Sequence, residues 1–372
     1  MVKRLLIIFP LLFHLSCDRL YDPQELEFDL PSVKLYIDPE NIEILNSNIF
    51  SNRYVDGKFV YNNREYNVQL RYQGQASRRS FKKSYKIKFE NTDLFENKKK
   101  IILKSQPFDP SLLRSRLSVH LFSKAGLSTF DNKFVTLFIN DDYKGLYCLI
   151  EPIDEFFFIN RGKSVGHFYK GQTGKVRFSF AGGYDVREGF EKKPTDDGNY
   201  SDLEYLINIL DVTPLDQLKE KLEPILWVEN YLNYLTVSIL ISNRDGFYSN
   251  LYLYNDPEVN RFEIIPWDLD LTFKSDYITY TIYGWNNLSR RILEVEDYRT
   301  RYKNRLLELL NSEFSEEVMF PMIDSLSEYI KDSYENDPYL KAKGYNLEQE
   351  VESIKSFIQS RRAYLEEQLE DF

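Results

Sequence analysis

The stretch NRDGFYSN, Asn243 to Asn250, places a carboxylate five residues before an amide, directly after a long apolar segment. Asp268 follows 23 residues after Asp245, at the end of the apolar run FEIIPW. Phosphoryl transfer needs such a set, with one carboxylate beside the acceptor hydroxyl and an Asn plus a second carboxylate holding Mg²⁺. Asn, Asp and Gly also favour tight turns, so this stretch alone leaves a purely structural interpretation open.

Cations are concentrated between Arg71 and Lys104, where they could meet a small anionic ligand. In the segment FKKSYKIKFE, alternation places Lys83 on one strand face with three large apolar side chains. The opposite face carries Lys82, Lys86 and Lys88, which we interpret as solvated. A buried ammonium is costly unless it is paired, and phosphate oxygens would pair it. We therefore predict Lys83 as the lysine that contacts a nucleotide phosphate.

A polar bend, RYQGQASRRS, precedes this basic strand. Gly74 allows close approach of the backbone to a ligand. Together with Gln75 and Ser77, it could form a loop whose N–H groups surround a phosphate. A hairpin that merely contains Gly and Ser would have the same composition.

Hydrophobic periodicity divides the chain into a strand-rich and a helix-rich part. Short alternating segments from Val33 to Ser105 predict antiparallel strands, interrupted by one helix near 112–126 and followed by a hairpin to Pro152. After Asp154 the patterns become helical, and the segment at 226–243 is apolar on all sides, which predicts a buried central helix. We predict an α+β fold of two lobes, with a β-rich lobe over 33–150 and a mainly helical lobe over 151–372.

Composition indicates a globular protein: 372 residues with 42% hydrophobic and 28% charged content. The net charge of −10 argues against nucleic acid as the main partner, because a phosphate backbone needs a basic face. We expect no nucleic-acid binding.

The N-terminus resembles an export signal. MVKR is followed by LLIIFPLLFHL and then Ser16-Cys17, which is similar to a lipoprotein processing site despite the unusual His14. We predict a signal over 1–17, lipidation of Cys17 that attaches the protein to a membrane, and a polar tether over 18–32; ordinary signal cleavage is the alternative. Cys148 is then the only remaining cysteine, and its apolar surroundings predict a core thiol.

Four stretches together resemble the CotH kinase family, named after spore-coat protein H: RYQGQASRRSFKKSYKIKF, NDDYKGLYCLIEPID, SNRDGFYSNLYLYND and IIPWDLDLTF. The resemblance covers roughly 33–273. It implies an atypical protein-kinase-like fold that transfers the γ-phosphoryl group of ATP to Ser or Thr of a protein substrate, with Mg²⁺ or Mn²⁺. The sequence has no G-x-G-x-x-G, no His before Arg244 and WDLD in place of DFG, so it departs from ordinary protein kinases.

The resemblance also implies residue roles. Asp245 would be the catalytic base, Asp268 the main metal ligand and Asn250 the second, while Lys83 would contact phosphate. Asp270 would assist the metal or cap the turn after Asp268. The chain around Glu151 would contact adenine, although a surface salt bridge is the simpler role for its side chain.

Two other classes of function remain open from the sequence. A kinase-like scaffold without catalysis could serve adhesion or coat assembly, because a fold does not fix a function. A hydrolase could use Asp245 and Asp268 as acid and base, and it would act without ATP.

Overall fold

The computed structural model describes residues 28–372. The predicted signal, Cys17 and most of the predicted tether lie outside the described residues. None of the helices in the described part is both long and apolar enough to cross a membrane.

A closed barrel of seven strands forms the first part of the chain, in the order β1-β2-β3-β4-β5-β7-β6. Its strands are β1 (Ser32–Tyr36), β2 (Val55–Tyr61), β3 (Arg64–Gln73), β4 (Ser84–Phe89), β5 (Lys100–Lys104), β6 (Asn132–Ile139) and β7 (Asp142–Ile150), with the helices α1 (Pro39–Ser47) and α2 (Arg114–Lys124) between them. Neighbouring strands are antiparallel except β1 and β6, whose parallel pairing closes the barrel. Closure leaves the barrel without an unpaired edge.

The strand alternation predicted from the sequence sets the two faces of the barrel wall. Tyr85, Ile87 and Phe89 of β4 point into the barrel core. Lys83 does not share that face, because β4 begins at Ser84 and Lys83 belongs to the preceding loop. Our placement of Lys83 on the apolar face of a strand was therefore wrong.

A second sheet and most of the helices form the rest of the molecule. The sheet has the order β11-β10-β8-β9, formed by β8 (His167–Gly171), β9 (Phe190–Lys193), β10 (Leu251–Asp256) and β11 (Arg261–Pro266). The helices are α3 (Glu155–Ile159), α4 (Val186–Gly189), α5 (Ser201–Val212), α6 (Leu215–Leu222), α7 (Val228–Leu240), α8 (Asn287–Glu294), α9 (Glu296–Leu310), α10 (Glu316–Glu335), α11 (Pro338–Lys343) and α12 (Leu347–Glu370). A mixed α+β architecture with β-rich and helical parts is thus confirmed. Helix α7 is the predicted central helix, with ten of its thirteen residues buried.

The large core of the helical part extends to the barrel. It includes apolar residues of α2 and of the outer face of β7, among them Cys148. Cys148 is buried as predicted, and burial raises the pKa of its thiol to about 12. The thiol is therefore protonated at neutral pH and unreactive.

A buried ion pair fastens the C-terminal helices to the barrel. The ammonium of Lys82 donates to Asp337 Oδ2 and to the carbonyl of Leu146, each at 2.6 Å. The other carboxylate oxygen of Asp337 caps α11 by accepting two backbone N–H groups. The side chains of Lys82 and Asp337 are 2% and 0% exposed, so the interpretation of Lys82 as solvated was wrong. Gly145 is required here, because its φ is +107° and a Cβ would lie 2.1 Å from Asp337 Oδ2.

We expect Lys82→Met to lower the free energy of unfolding by about 3 kcal/mol or more, because it leaves the Asp337 carboxylate buried without a counter-ion. Urea denaturation of the purified protein measures this loss. Lys83→Met is the matched control and should cost less than about 0.5 kcal/mol, as for most surface changes. Equal losses in the two variants would contradict the assignment of the buried lysine.

Candidate active site

The chain between α7 and β10 forms a rigid loop. Ser242 adopts a positive φ of 52°, and a short 3-10 helix follows over Arg244–Phe247. The side chain of Asn243 accepts a hydrogen bond from Gly246 N at 3.3 Å, and the Tyr234 hydroxyl donates to Gly246 O at 2.7 Å. Because Tyr234 belongs to the central helix α7, the buried helix fixes the position of this loop.

The backbone carbonyl of Asp245 organises the second half of the loop. It accepts hydrogen bonds from the N–H groups of Tyr248 at 3.2 Å and of Ser249 and Asn250 at 2.9 Å each. These bonds fold the four residues between Asp245 and Asn250 back on themselves. Asp245 and Asn250 are thereby held on one compact turn, as their spacing in the sequence suggested.

Asp268 joins this turn from the end of β11. The backbone of Trp267 donates to Asn250 O at 3.3 Å, and the side-chain amide of Asn250 donates to Asp268 O at 3.1 Å. Asp268 has a φ of +57°, which non-glycine residues rarely adopt. Such backbone strain is most often found at functional sites, where the surrounding structure compensates for it.

A lysine from the barrel completes the cluster. The ammonium of Lys104, at the end of β5, forms ion pairs with Asp268 and, at 3.2 Å, with Asp270. Burial alone would lower the pKa of Lys104, but the two carboxylates raise it overall. Burial is also the main reason that the pKa of Asp270 rises to about 6, with Lys104 opposing the shift. The side chain of Asp268 is 41% exposed and that of Asp270 8%, so Asp268 is the more accessible carboxylate.

Asp245 differs electrostatically from these two carboxylates. Burial and the charge of Asp268 raise its pKa, while Arg244 and Lys274 oppose the shift. Within residues 28–372, its carboxylate has neither a hydrogen-bond nor an ion-pair partner in the structure. It is therefore available to accept a proton from a ligand, and a raised pKa brings it closer to the pH at which a general base works best.

The structure does not bring Lys83 to the acidic cluster formed by Asp245, Asp268 and Asp270. Its ammonium instead donates to the carbonyl of Arg78 at 2.6 Å. Sequence reasoning missed Lys104, although the run KIILK contained a signal: Lys104 ends an apolar strand on the outer face that Ile102 shares. The ion pairs of Lys104 span 164 residues to Asp268, which no local pattern encodes.

The loop predicted to surround phosphate reaches towards the turn that holds Asp245 and Asn250. Gly74 has a φ of +100°, and a Cβ there would lie 1.9 Å from Ser77 Oγ. Gln75 accepts a hydrogen bond from Thr173 at 3.2 Å, and the next residue along, Gly174, donates to Ser249 Oγ at 2.7 Å. The tip of the loop is thus linked through Thr173 to the residue next to Asn250.

Glu151 has a structural partner. Its buried carboxylate pairs with Arg161 at 2.7 Å. This contact is the salt bridge considered as an alternative from the sequence, except that the Glu151 side chain is only 3% exposed. The side chain is therefore engaged, and only the neighbouring backbone could contact a ligand.

Further cations line the outer face of the barrel beside Lys104. Burial, together with repulsion from Arg71 and Lys100, lowers the pKa of Lys86 to about 8, and Asp154 opposes the shift. Lys86 is thus half-buried and not part of a freely solvated face. Two polar atoms in this region are buried without a partner, namely Arg71 Nε and Gln73 Oε1, and a third, Asp154 Oδ2, has only an ion pair with Lys100 at 3.5 Å. Such orphaned groups are costly in a protein interior and are expected where a ligand supplies the partners.

The C-terminal helices also support the site. Arg361 of α12 is fully buried and donates to Ile239 O at the end of α7. It also donates to the carbonyls of Ile278 and Tyr280, in the segment that follows the acidic cluster. Arg361 therefore joins α12 to both sides of the site, and no feature of the sequence indicated this.

Oxygen donors suited to a hard cation are present at the turn. Asn250, Asp268 and Asp270 would supply one amide and two carboxylate oxygens. Among the described residues there is no group of three or more His, Cys, Asp or Glu side chains placed to hold a metal. The ammonium of Lys104, which bridges Asp268 and Asp270, shows that the carboxylate pair is stabilised by a cation.

The family model described as "CotH kinase protein" matches residues 70–365. The chain belongs to this family. The matched region begins within β3 and ends within α12, so it includes the turn from Asp245 to Asn250, Asp268, Asp270 and Arg361. The match to the family model thus extends over the C-terminal helices as far as residue 365.

Curated relatives extend over most of the chain. It is 29% identical over 356 residues to the inner spore coat protein H of Bacillus subtilis, covering 92% of this chain and 98% of that protein. It is 24% identical over 268 residues to the invasin CotH2 of Rhizopus delemar, covering 66% of this chain and 44% of the invasin. The CotH region therefore occurs both as nearly a whole protein and as part of a longer one.

Among solved structures, the HipA–HipB–operator DNA complex of Shewanella oneidensis has a TM-score of 0.37 and 12% identity, covering 94% of this chain and 76% of that chain. The proinflammatory kinase CtkA of Helicobacter pylori has a TM-score of 0.33 and 10% identity, covering 90% and 95%. Scores this low do not establish a common fold. Family membership therefore rests on the sequence match.

We expect Lys104→Met to raise the affinity of the nucleotide-free protein for Mn²⁺ by at least about tenfold, because an ammonium at contact distance repels a second cation from Asp268 and Asp270. Isothermal titration calorimetry measures this change. Lys100→Met, on the same strand, is the matched control and should leave Mn²⁺ affinity nearly unchanged. Weaker Mn²⁺ binding in Lys104→Met would mean that Lys104 supports the metal site instead of competing with the metal.

Proposed function

We propose that this chain is an ATP-dependent protein kinase that phosphorylates Ser or Thr in a protein substrate. The observation that carries the proposal is the convergence of Asp245, Asn250 and Asp268 at one turn, where Lys104 pairs with Asp268. Three different segments of the chain contribute these side chains, and Asp268 adopts a strained φ of +57°. Kinase-family membership supports the same reading.

Asp245 is the proposed base. In the transfer, the acceptor hydroxyl oxygen forms a bond to the γ-phosphorus while the bond from that phosphorus to the β–γ bridging oxygen breaks. The hydroxyl proton passes to the Asp245 carboxylate, and ADP leaves with the electron pair of the broken bond. The carboxylate suits this task because it has no partner within the described residues, and its raised pKa favours proton acceptance.

Lys104 takes the role that we first assigned to Lys83. Its ammonium lies at the carboxylates that would hold Mg²⁺ or Mn²⁺, so a phosphate bound there would be within its reach. Asp268, Asp270 and Asn250 are the proposed metal ligands; a bound divalent cation would neutralise charge on the β- and γ-phosphates. Arg71 and Lys86 extend the positive surface along the barrel, where they would offset the remaining phosphate charge.

The loop with Gly74, Gln75 and Ser77 is proposed to cover the phosphates. Its link through Thr173 to the turn that holds Asp245 and Asn250 supports this position. The backbone near Glu151 is proposed to lie beside the base of the nucleotide, because β7 ends there, next to β5. Asp154 Oδ2 is close to this region; it pairs with the Lys100 ammonium at 3.5 Å but accepts no hydrogen bond, so it would accept one from a ligand.

Asp245→Asn tests the proposal. Phosphoryl transfer should fall by roughly 10²–10⁴-fold, the usual contribution of general acid–base catalysis, while the affinity for metal-bound ATP changes little. Asp268→Asn should lose both transfer and metal-dependent nucleotide binding. The measurements are autophosphorylation or casein phosphorylation with γ-labelled ATP, and calorimetric binding of a non-hydrolysable ATP analogue.

Both variants must unfold cooperatively near the wild-type temperature, so that lost activity is not lost structure. Asp276→Asn, an exposed carboxylate after the acidic cluster, is the matched control and should retain full transfer. If the wild-type protein binds no nucleotide, the kinase proposal fails and a non-catalytic scaffold becomes the better account. Hydrolysis of a substrate without ATP would instead favour the hydrolase.

We further propose that the protein is exported and attached to a membrane of the cell envelope through Cys17. The processing-site resemblance at Ser16-Cys17 supports this, and a spore-coat protein is among the relatives. Cys17→Ala should move the protein from the membrane to the soluble fraction, because two or more acyl chains are needed for stable attachment. Mass spectrometry of the N-terminal peptide is the direct measurement, and an unmodified Cys17 in the wild type would refute the anchor.

A further inference from the structure

Two loops at one end of the barrel are fastened together by a buried arginine. Arg78 is 6% exposed and lies in the loop between β3 and β4. Its guanidinium donates to the carbonyl of Ser51 at 3.2 Å and to the side chain of Asn52 at 3.0 Å, in the loop between α1 and β2. The two loops therefore form a single surface with a defined shape.

This surface displays aromatic rings beside cations. Phe81 is 94% exposed and Phe50 is 47% exposed. The guanidinium of Arg79 lies over the Phe50 ring at 5.1 Å from its centre. Arg53 is exposed and Lys83 is half-exposed. We call these five residues the aromatic–basic patch. A single exposed apolar residue is ordinary, but a Phe exposed almost completely beside three cations is typical of an interaction site.

The sequence segments that form the aromatic–basic patch contain no acidic residues. The segments 44–55 and 71–89, which build it, contain no Asp or Glu, although the chain has 58 acidic residues and a net charge of −10. The patch is thus a local positive area on an acidic protein. Its electrostatic complement is an anionic surface.

The start of the described chain contacts the same region of the barrel as the loop that carries Phe81. The ring of Phe28 lies 4.8 Å from that of Tyr143, at the start of β7. The Tyr143 hydroxyl donates to a carbonyl near the end of α10 at 3.0 Å. Asp337, just beyond α10, holds Lys82, which is the residue after Phe81. The start of the described chain is therefore connected through these contacts to the loop that carries Phe81.

We propose that the aromatic–basic patch docks the protein onto an anionic lipid bilayer, with Phe81 entering the interface and Arg53, Arg79 and Lys83 facing lipid headgroups. The tether argument rests on the proposed anchor: from Cys17 to Phe28 the chain spans at most roughly 40 Å, so a bilayer holding Cys17 lies within that distance of Phe28. Docking would restrain the orientation of the protein, which a tether alone does not.

Docking would also place the active site relative to the membrane. The loop that carries Phe81 also carries Gly74 and Gln75. Gln75 contacts Thr173, and the neighbouring Gly174 contacts Ser249 in the turn that holds Asp245 and Asn250. A bilayer at Phe81 would hold this loop close to the lipid surface. The acceptor hydroxyl of a substrate would then be reached near the membrane and not far above it.

The experiment uses residues 18–372 without lipid, which include every described residue, so its result does not depend on lipidation of Cys17 or on catalysis. Sedimentation measures partitioning onto vesicles of phosphatidylcholine alone and of phosphatidylcholine with equimolar phosphatidylglycerol. We expect binding only to the anionic vesicles, with binding weakened by added salt. Absence of binding to anionic vesicles at low salt would overturn the proposal.

Variants locate the contact. Phe81→Ser should weaken partitioning by about tenfold, because it removes the phenyl ring whose transfer from water into the bilayer interface favours binding. Arg79→Ala and Lys83→Ala should each weaken it by about fivefold. Val212→Ser and Lys221→Ala, at exposed positions of the helical part, are the matched controls and should have no effect. Equal losses in the controls would overturn the assignment of this surface.

Tryptophan fluorescence tests insertion directly. Phe81→Trp should show a blue-shifted emission with anionic vesicles, and brominated lipid should quench it. Binding of polyglutamate at the patch without any shift on vesicles would show that the occupant is an acidic polypeptide, and would overturn the bilayer assignment. All variants should keep the wild-type melting temperature, because the exposed side chains contribute little to stability.

Discussion

The candidate site depends on one ammonium between two carboxylates. Asp268 and Asp270 lie two residues apart on a strained turn. Burial and the nearby charge of Asp268 together raise the pKa of Asp245. Three neighbouring negative charges would repel each other in a partly buried environment. Lys104 offsets this repulsion from the opposite part of the molecule. The barrel strand β5 must therefore meet the loop after β11, and this requirement fixes how the two parts of the chain pack.

Backbone strain in the turn is compensated by packing further along the chain. Phe273, like Asp268, adopts a positive φ, and its N–H donates to Ile241 O at 3.0 Å. The Phe273 ring packs against Phe314 and Phe357 in the core of the C-terminal helices. Burial of three phenyl rings is a much larger favourable term than the cost of one strained residue. The C-terminal helices thus hold the acidic loop in place.

The barrel and the helical part are joined at two places along β7. In the middle of the strand, Leu146 contacts both members of the Lys82–Asp337 pair, which leads to α11. At its end, β7 leads into the chain around Glu151, whose carboxylate is bound by Arg161. Lys104 lies on the neighbouring strand β5, so its approach to Asp268 is set between these two attachments. The position of the lysine is therefore a property of the whole assembly and not of a flexible side chain alone.

The sequence by itself determined the local parts of the site and of the fold. Asp245, Asn250 and Asp268 were predicted because their spacing and the apolar segments around them are local features. Most strands and the buried helix α7 were predicted for the same reason, since alternation and periodicity follow from the directions of neighbouring side chains. Only tertiary structure decided which lysine meets the carboxylates. Strand β4 starts at Ser84, two residues later than the pattern suggested, and Lys83 is therefore not part of the barrel wall. The pairing of Lys104 with Asp268, and that of Lys82 with Asp337, joins residues far apart in sequence. Their proximity depends on barrel closure and helix packing, which no local pattern contains.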